Sequence, residues 1–129
     1  CFDIDNVLCI SPNNNYKKSK PIKTNIRLVN LLMKNGHYVK LFTSRYMGRN
    51  KENKFLSKKQ GYNLTKRQLK KWGVNYNKLI FGKPSYDVFI DDKNLGYKKN
   101  WASILLKKIK KGKVWNLWEN ILNNERKPN

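Results

Sequence analysis

The side chains suited to chemistry are few, and they are acidic groups in a basic chain. There are five Asp: Asp3, Asp5, Asp87, Asp91 and Asp92. One apolar residue separates Asp3 from Asp5, and the adjacent Asp91 and Asp92 follow Val88-Phe89-Ile90. A hydroxyl pair, Thr43-Ser44, follows Leu41-Phe42, and Lys83 follows Phe81-Gly82. Four carboxylates drawn together repel one another and stay ionised only beside a cation. An all-oxygen set selects a hard ion, and next to a lysine and a hydroxyl suited to phosphoryl groups that ion is Mg²⁺. One carboxylate can then attack phosphorus to give an aspartyl-phosphate, while a second, two residues on, acts as general acid and then base. Plainer readings stand beside these. An Asp at a strand end is often a turn former or a cap, and most of the 24 Lys are solvated surface. Asp87 fits the opening of a strand better than a metal site.

These groups need elements to carry them. Residues 1–5 read as the end of a buried strand. Residues 8–22 are polar and turn-like, with Pro12, Asn13-Asn14-Asn15 and Pro21, enough for a flap hairpin. Ile26, Val29, Leu31, Leu32 and Met33 recur at near-helical spacing over 24–35, with Thr24 as N-cap and Gly36 as the stop. Residues 38–43 read as a strand and 45–62 as a basic loop with a short helix. Thr65 and Gln68 form a capping-box pair that opens a helix to Trp72, stopped by Gly73. Leu79-Ile80-Phe81 and Val88-Phe89-Ile90 read as short strands, and 100–125 as a C-terminal helical segment broken at Gly112. Trp115 and Trp118, three apart, suit a core or an interface. Short apolar strands alternating with helices predict an α/β, Rossmann-like fold, with a mostly parallel sheet covered on both faces. In such sheets ligands sit beyond the carboxyl ends of the strands, where Asp3, Asp5, Thr43, Lys83 and Asp91-Asp92 all fall.

At this point a family resemblance is visible. Asp3-Ile4-Asp5-Asn6-Val7 resembles the first motif of the haloacid dehalogenase superfamily, and Thr43 in Leu41-Phe42-Thr43-Ser44-Arg45 its second. Lys83 in Phe81-Gly82-Lys83-Pro84 resembles the third, and Asp91-Asp92 the paired-acid form of the fourth. The four occur in order. Residues 81–93 and the stretch Arg45 to Asn50 further resemble small phosphatases linked to capsule and lipopolysaccharide sugar synthesis. Val7 stands where many members have Thr, though Val occurs in sugar-phosphate phosphatases. The resemblance implies Asp3 as nucleophile and Mg²⁺ ligand, and Asp5 as acid/base and a ligand through its carbonyl. It implies Thr43 as a phosphoryl hydrogen-bond partner and Lys83 as charge balance. Asp92 would complete the metal site, with Asp91 a ligand through water or an orienting partner. Ser44, Arg45, Arg49 and Asn6 are the expected substrate contacts, with solvated loop the alternative for both arginines. The segment between the second and third motifs has no room for a cap domain, so the site is expected to be open unless a neighbouring subunit of a homo-oligomer covers it.

Length and composition bound the rest. The 129 residues and 15.4 kDa fit one domain over 1–129, and 16 aromatics can supply its core. No apolar run is long enough to span a membrane. The net charge is +21. It suggests nucleic acid or another polyanion, but 24 Lys against 5 Arg, together with 19 Asn, favours the compositional drift of an AT-rich genome. A small phosphorylated metabolite, in particular a sugar phosphate, is therefore the expected substrate. A nucleic-acid end, or polyanion binding without catalysis, is the alternative. Cys1 and Cys9 make no disulfide framework and match no zinc spacing, with His37 as the sole histidine, so the expected setting is a reducing cytoplasm. No signal peptide is expected at the start. The chain opens on Cys1 without Met, so residues are expected before it in the full protein.

Overall fold

The computed structural model describes residues 1–110. A small antiparallel hairpin comes first. β1 (Cys9–Ile10) pairs with β2 (Lys20–Pro21), and two 3₁₀ turns, Pro12–Asn14 and Tyr16–Lys18, fill the loop between them. This is the flap expected over 8–22. α1 (Lys23–Lys34) leads to β3 (Lys40–Thr43), and α2 (Lys54–Lys71) leads to β4 (Lys78–Phe81). β3 and β4 pair in parallel, in register from Lys40 with Lys78 to Thr43 with Phe81. Phe2 joins the other side of β3 through a bridge to Leu41, its N–H bonding to the Lys40 carbonyl and its carbonyl accepting from Phe42. α3 (Trp101–Lys110) closes the described chain. The result is the α/β fold that the order of apolar segments predicts, with no cap domain among the described residues, but with a small parallel and a small antiparallel sheet in place of one mostly parallel sheet.

Local chemistry explains the elements. α1 buries Ile26, Val29 and Leu32, a stripe at helical spacing. It ends in a Schellman pairing, with Gly36 N–H to the Met33 carbonyl and His37 N–H to the Leu32 carbonyl, and Gly36 supplies the φ of +86° that this requires. The helix starts two residues earlier than expected: Ile22 is the cap residue and Thr24 lies inside. α2 departs further from expectation. It runs 18 residues from an Asn53 side-chain cap on the Leu56 N–H, and Thr65 and Gln68 sit within it rather than at its start. Its buried stripe is Ser57, Gly61, Thr65 and Leu69, four residues apart each time. Only one of these is strongly apolar, so hydrophobic periodicity passes over the helix.

The core gathers Ile4, Leu8, Ile26, Val29, Val39, Leu41, Leu69 and Trp101 into one cluster, with the Phe2 ring packed 5.5 Å from that of Trp101. Two expected strands are not formed. Residues 1–5 contribute isolated bridges at Phe2 and Asp5. Val88-Phe89-Ile90 lies in unpaired loop, with Val88 74% and Ile90 90% exposed. A one-residue bridge at Phe2 offers a neighbouring strand almost no ladder to extend. His37, the sole histidine, is half-buried, and its Nε2 has no hydrogen-bond partner among the described residues. Burial lowers its pKa. Of the expected 100–125 segment, the part beyond residue 110, including Gly112, Trp115 and Trp118, lies outside the described residues. No helix among the described residues is long and apolar enough to cross a membrane.

Candidate active site

The carboxyl ends of β3 and β4 are tied by the Lys83 N–H, which donates to the Thr43 carbonyl at 3.1 Å. Gly82 makes this turn with a φ of +95°, and its α-carbon faces the Lys54 side chain so closely that any side chain there would press on it. The turn aims Lys83 inward. Its Nζ lies 3.2 Å from Asp3 Oδ2, and Asp3 Oδ1 accepts the Ile4 N–H at 2.7 Å. Burial raises the Asp3 pKa, against the pull of Lys83 and the Ile4 N–H. Burial also works to lower that of Lys83, but the Tyr86 phenol and the Asp3 carboxylate outweigh it, and the net shift is upward. The rings of Tyr86 and Phe89 lie 5.3 and 5.5 Å from Nζ and pack on each other. The segment that sequence reads as a strand thus serves as an aromatic wall beside Lys83.

Asp5 is held quite differently. Arg45, wholly buried, grips it through both oxygens: Nε to Oδ2 at 2.9 Å and Nη2 to Oδ1 at 3.0 Å. The same guanidinium donates to Thr65 Oγ1 and Gln68 Oε1, both on α2, and to Ser19 Oγ in the flap, and it lies 4.8 Å from the Tyr16 ring. Ser11 Oγ donates to Asp5 Oδ1 and shares a hydrogen bond with Ser19, while the Gln68 amide donates to the Tyr16 carbonyl. The Cys9 thiol completes the cluster at 3.5 Å from both Asp5 Oδ1 and Arg45 Nη2. Burial, with the Asp5 charge beside it, pushes that thiol up to about 11. Arg45 is therefore not solvated loop, and its guanidinium is engaged within the protein. It locks Asp5, the flap and α2 together. Both Asp5 oxygens are taken by donors, so a proton can be carried on Asp5 only where one of these contacts is released.

The remaining expected residues divide. Thr43 is wholly buried, and its Oγ1 accepts the Arg45 N–H at 3.1 Å, so in this arrangement it caps the turn after β3. Asn6 is exposed with a φ of +65°, a conformation Asn tolerates, and its carbonyl accepts from the Tyr97 hydroxyl. Ser44 and Arg49 line a groove of about 380 Å³. Arg49 Nη2 donates to the Asn14 carbonyl, and its guanidinium lies 5.2 and 4.7 Å from the rings of Tyr16 and Tyr46. Tyr46 holds a φ of +65°, an uncommon conformation for a bulky residue. Its ring lines this groove and lies against Gly61, where a Cβ would overlap it.

Asp91 and Asp92 are exposed in loop, as is Asp87, and Asp91 accepts the Lys93 N–H. Among the described residues no three His, Cys, Asp or Glu side chains gather as a metal site. The expected convergence of four carboxylates is thus absent, because no paired strand carries Asp91-Asp92 to the rim. The donor set that remains still suits one hard cation. Mg²⁺ keeps several waters and is often held by one or two carboxylates plus substrate phosphate, and Asp3 is a partly exposed carboxylate at the rim.

Sequence reasoning misses Ser11, Ser19, Cys9, Thr65 and Gln68 as partners of the site. Thr65 and Gln68 do stand out as a pair in the sequence, but as a helix cap.

Comparison of the whole fold finds a structural-genomics target from Vibrio cholerae, known from its crystal structure. It is 22% identical, with a TM-score of 0.73 over 84% of this chain and 90% of that one. A scan of protein-family models and a search of curated proteins give no match. At that identity the likeness is one of fold: over the matched residues the chain shares the architecture of the Vibrio cholerae protein.

Proposed function

We propose that this chain is a Mg²⁺-dependent phosphomonoesterase that works through Asp3 on a small phosphorylated metabolite, a sugar phosphate of surface-polysaccharide synthesis. The observation that carries the reading is the Asp3–Lys83 pair. A carboxylate pinned on one oxygen by a main-chain N–H faces an ammonium at 3.2 Å, at the carboxyl rim of parallel strands. An Asp3 oxygen attacks phosphorus, the ester P–O bond breaks, and the leaving oxygen takes a proton. Water then attacks the same phosphorus, inorganic phosphate departs, and the Asp3 carboxylate is regenerated. Lys83 faces the charge that builds on the transferring phosphoryl group. Asp5 serves as acid/base when its Oδ1 is freed from Ser11 and Arg45. Mg²⁺, held by Asp3 and the Asp5 carbonyl, would neutralise phosphoryl charge.

A phosphate-release screen over phosphosugars, nucleotides, 3′-phosphorylated oligonucleotides and p-nitrophenyl phosphate tests this, run with Mg²⁺ and again with excess EDTA. Hydrolysis of a phosphosugar that stops with EDTA and resumes with Mg²⁺ is the expected result. No release from any substrate sinks the reading, and turnover unchanged by chelation sinks the metal.

A further inference from the structure

The groove lined by Asn14, Tyr16, Ser44, Tyr46, Arg49 and Ser85 is the part of the molecule that the proposed chemistry leaves unused. It begins at the reacting rim, because Ser44 follows Thr43 and Ser85 lies two residues past Lys83. It ends at the flap, which contributes Asn14 and Tyr16. The groove therefore opens beside the ends of β3 and β4 that carry Thr43 and Lys83, and its volume of about 380 Å³ is within the range of small-molecule sites, roughly 300–1,000 Å³.

The walls have one sign. None of these lining residues is acidic, and Arg49 has no carboxylate partner among the described residues. Glu52 is engaged by the Ser85 N–H, whose hydrogen bond it accepts at 3.0 Å. The Arg49 guanidinium is held in place by two tyrosine rings and the Asn14 carbonyl, which together occupy one of its N–H groups. A planar donor fork fixed beside hydroxyls, and left without an anion, matches a carboxylate or a phosphate.

We propose that this groove is a subsite for a second anionic group on the leaving-group side of the substrate, with Arg49 as the residue that selects for it. The proposal rests on the phosphomonoesterase reading, and its test separates the two. Glucose 6-phosphate and 6-phosphogluconate carry the same ester and differ at the far carbon, where the second has a carboxylate. Fructose 1,6-bisphosphate offers a phosphate there instead. In the wild-type protein kcat/KM should favour 6-phosphogluconate over glucose 6-phosphate by about tenfold, the scale of one charge-assisted contact. The Arg49→Ala variant should lose most of that preference, chiefly through KM, and Arg49→Lys should keep part of it. An equal loss on both substrates, or no preference in the wild type, overturns the proposal. If none of the three is hydrolysed, amide NMR titration decides the subsite, and the wider phosphate-release screen decides the phosphatase reading separately. Shifts at Ser44, Gly48 and Ser85 that 6-phosphogluconate causes in the wild type, and not in Arg49→Ala, uphold it. Shifts absent from both proteins, or equal in both, overturn it.

Discussion

Asp3 and Asp5 stand two residues apart on the same stretch of chain, and the fold treats them in opposite ways. Asp5 receives two bonds from a buried guanidinium and one from Ser11, inside a network that also holds the flap and α2. Asp3 has one main-chain donor and one ammonium, and its side chain remains 30% exposed. Burial leaves Asp3 harder to ionise than an ordinary aspartate, while Asp5, its side chain 21% exposed, faces a wholly buried arginine through both oxygens. A carboxylate saturated with donors builds structure, and one left short of donors at a rim is available to react. On the proposed reading, the contrast suits Asp3 to attack, while Asp5 and Arg45 also hold the walls of the site together.

The largest effect that sharpens this contrast is on turnover. Asp3→Asn should reduce phosphate release by at least about 10³-fold, since the amide cannot attack phosphorus, with unchanged circular dichroism. A well-folded Asp3→Asn protein with full activity would end the nucleophile assignment. The next is on stability. Arg45→Met leaves the Asp5 charge without its partner and should cost about 3–5 kcal/mol in urea unfolding. The double variant Arg45→Met/Asp5→Asn should recover part of that loss, because the unpaired charge is gone. A cost below about 1 kcal/mol for Arg45→Met would mean that the pair behaves as a surface ion pair.

The sequence makes one half of this contrast legible and hides the other. Asp3, Thr43 and Lys83 can be placed because each follows a short apolar run whose strand or bridge is formed, and the parallel order predicts their common rim. Asp91 and Asp92 obey the same rule on paper. They fail because a strand exists only where a partner offers a ladder, and on the open side of β3 the chain offers only the single Phe2 bridge. Arg45 misleads for a different reason. A lone arginine after a strand reads as loop, and its burial depends on Thr65 and Gln68, 20 and 23 residues later. Those two lie on a helix whose buried stripe of Ser57, Gly61, Thr65 and Leu69 is polar or small, so its inward face leaves little hydrophobic trace.

A smaller effect reads the closed half directly. Cys9 is buried beside Asp5 and Arg45, and its thiol is pushed up to about 11. At pH 8 only about one thiol in a thousand is then ionised. Exposed Cys1 should take up a thiol reagent quickly, and Cys9 should wait for unfolding. Arg45→Met opens the network and should speed Cys9 labelling by tenfold or more, measured by mass spectrometry under native conditions. Equal labelling rates for Cys9 in the two proteins would show that the flap stays shut without Arg45.

The smallest effect tests whether Asp3 is held at a cost. Its folded pKa lies above the ordinary 3.8, so the folded chain binds that proton more tightly than the unfolded chain does. The stability this contributes is full below pH 3.8 and is lost as pH rises through the raised value. Lys83 stays charged throughout, since its own shift is upward from 10.5. Asp3→Asn does not titrate, so every other carboxylate cancels in the comparison with wild type. The stability of the variant relative to wild type should therefore climb as pH rises from about 3.8, then level off once wild-type Asp3 is ionised. Urea midpoints between pH 3 and 7 measure this, and solvent access to Asp3 keeps the change below that of Arg45→Met. A difference that instead falls with pH would mean that Lys83 stabilises the Asp3 charge by more than burial opposes it. The two aspartates would then differ in degree, and Asp3 would lose its claim to be the carboxylate that the fold leaves short of donors.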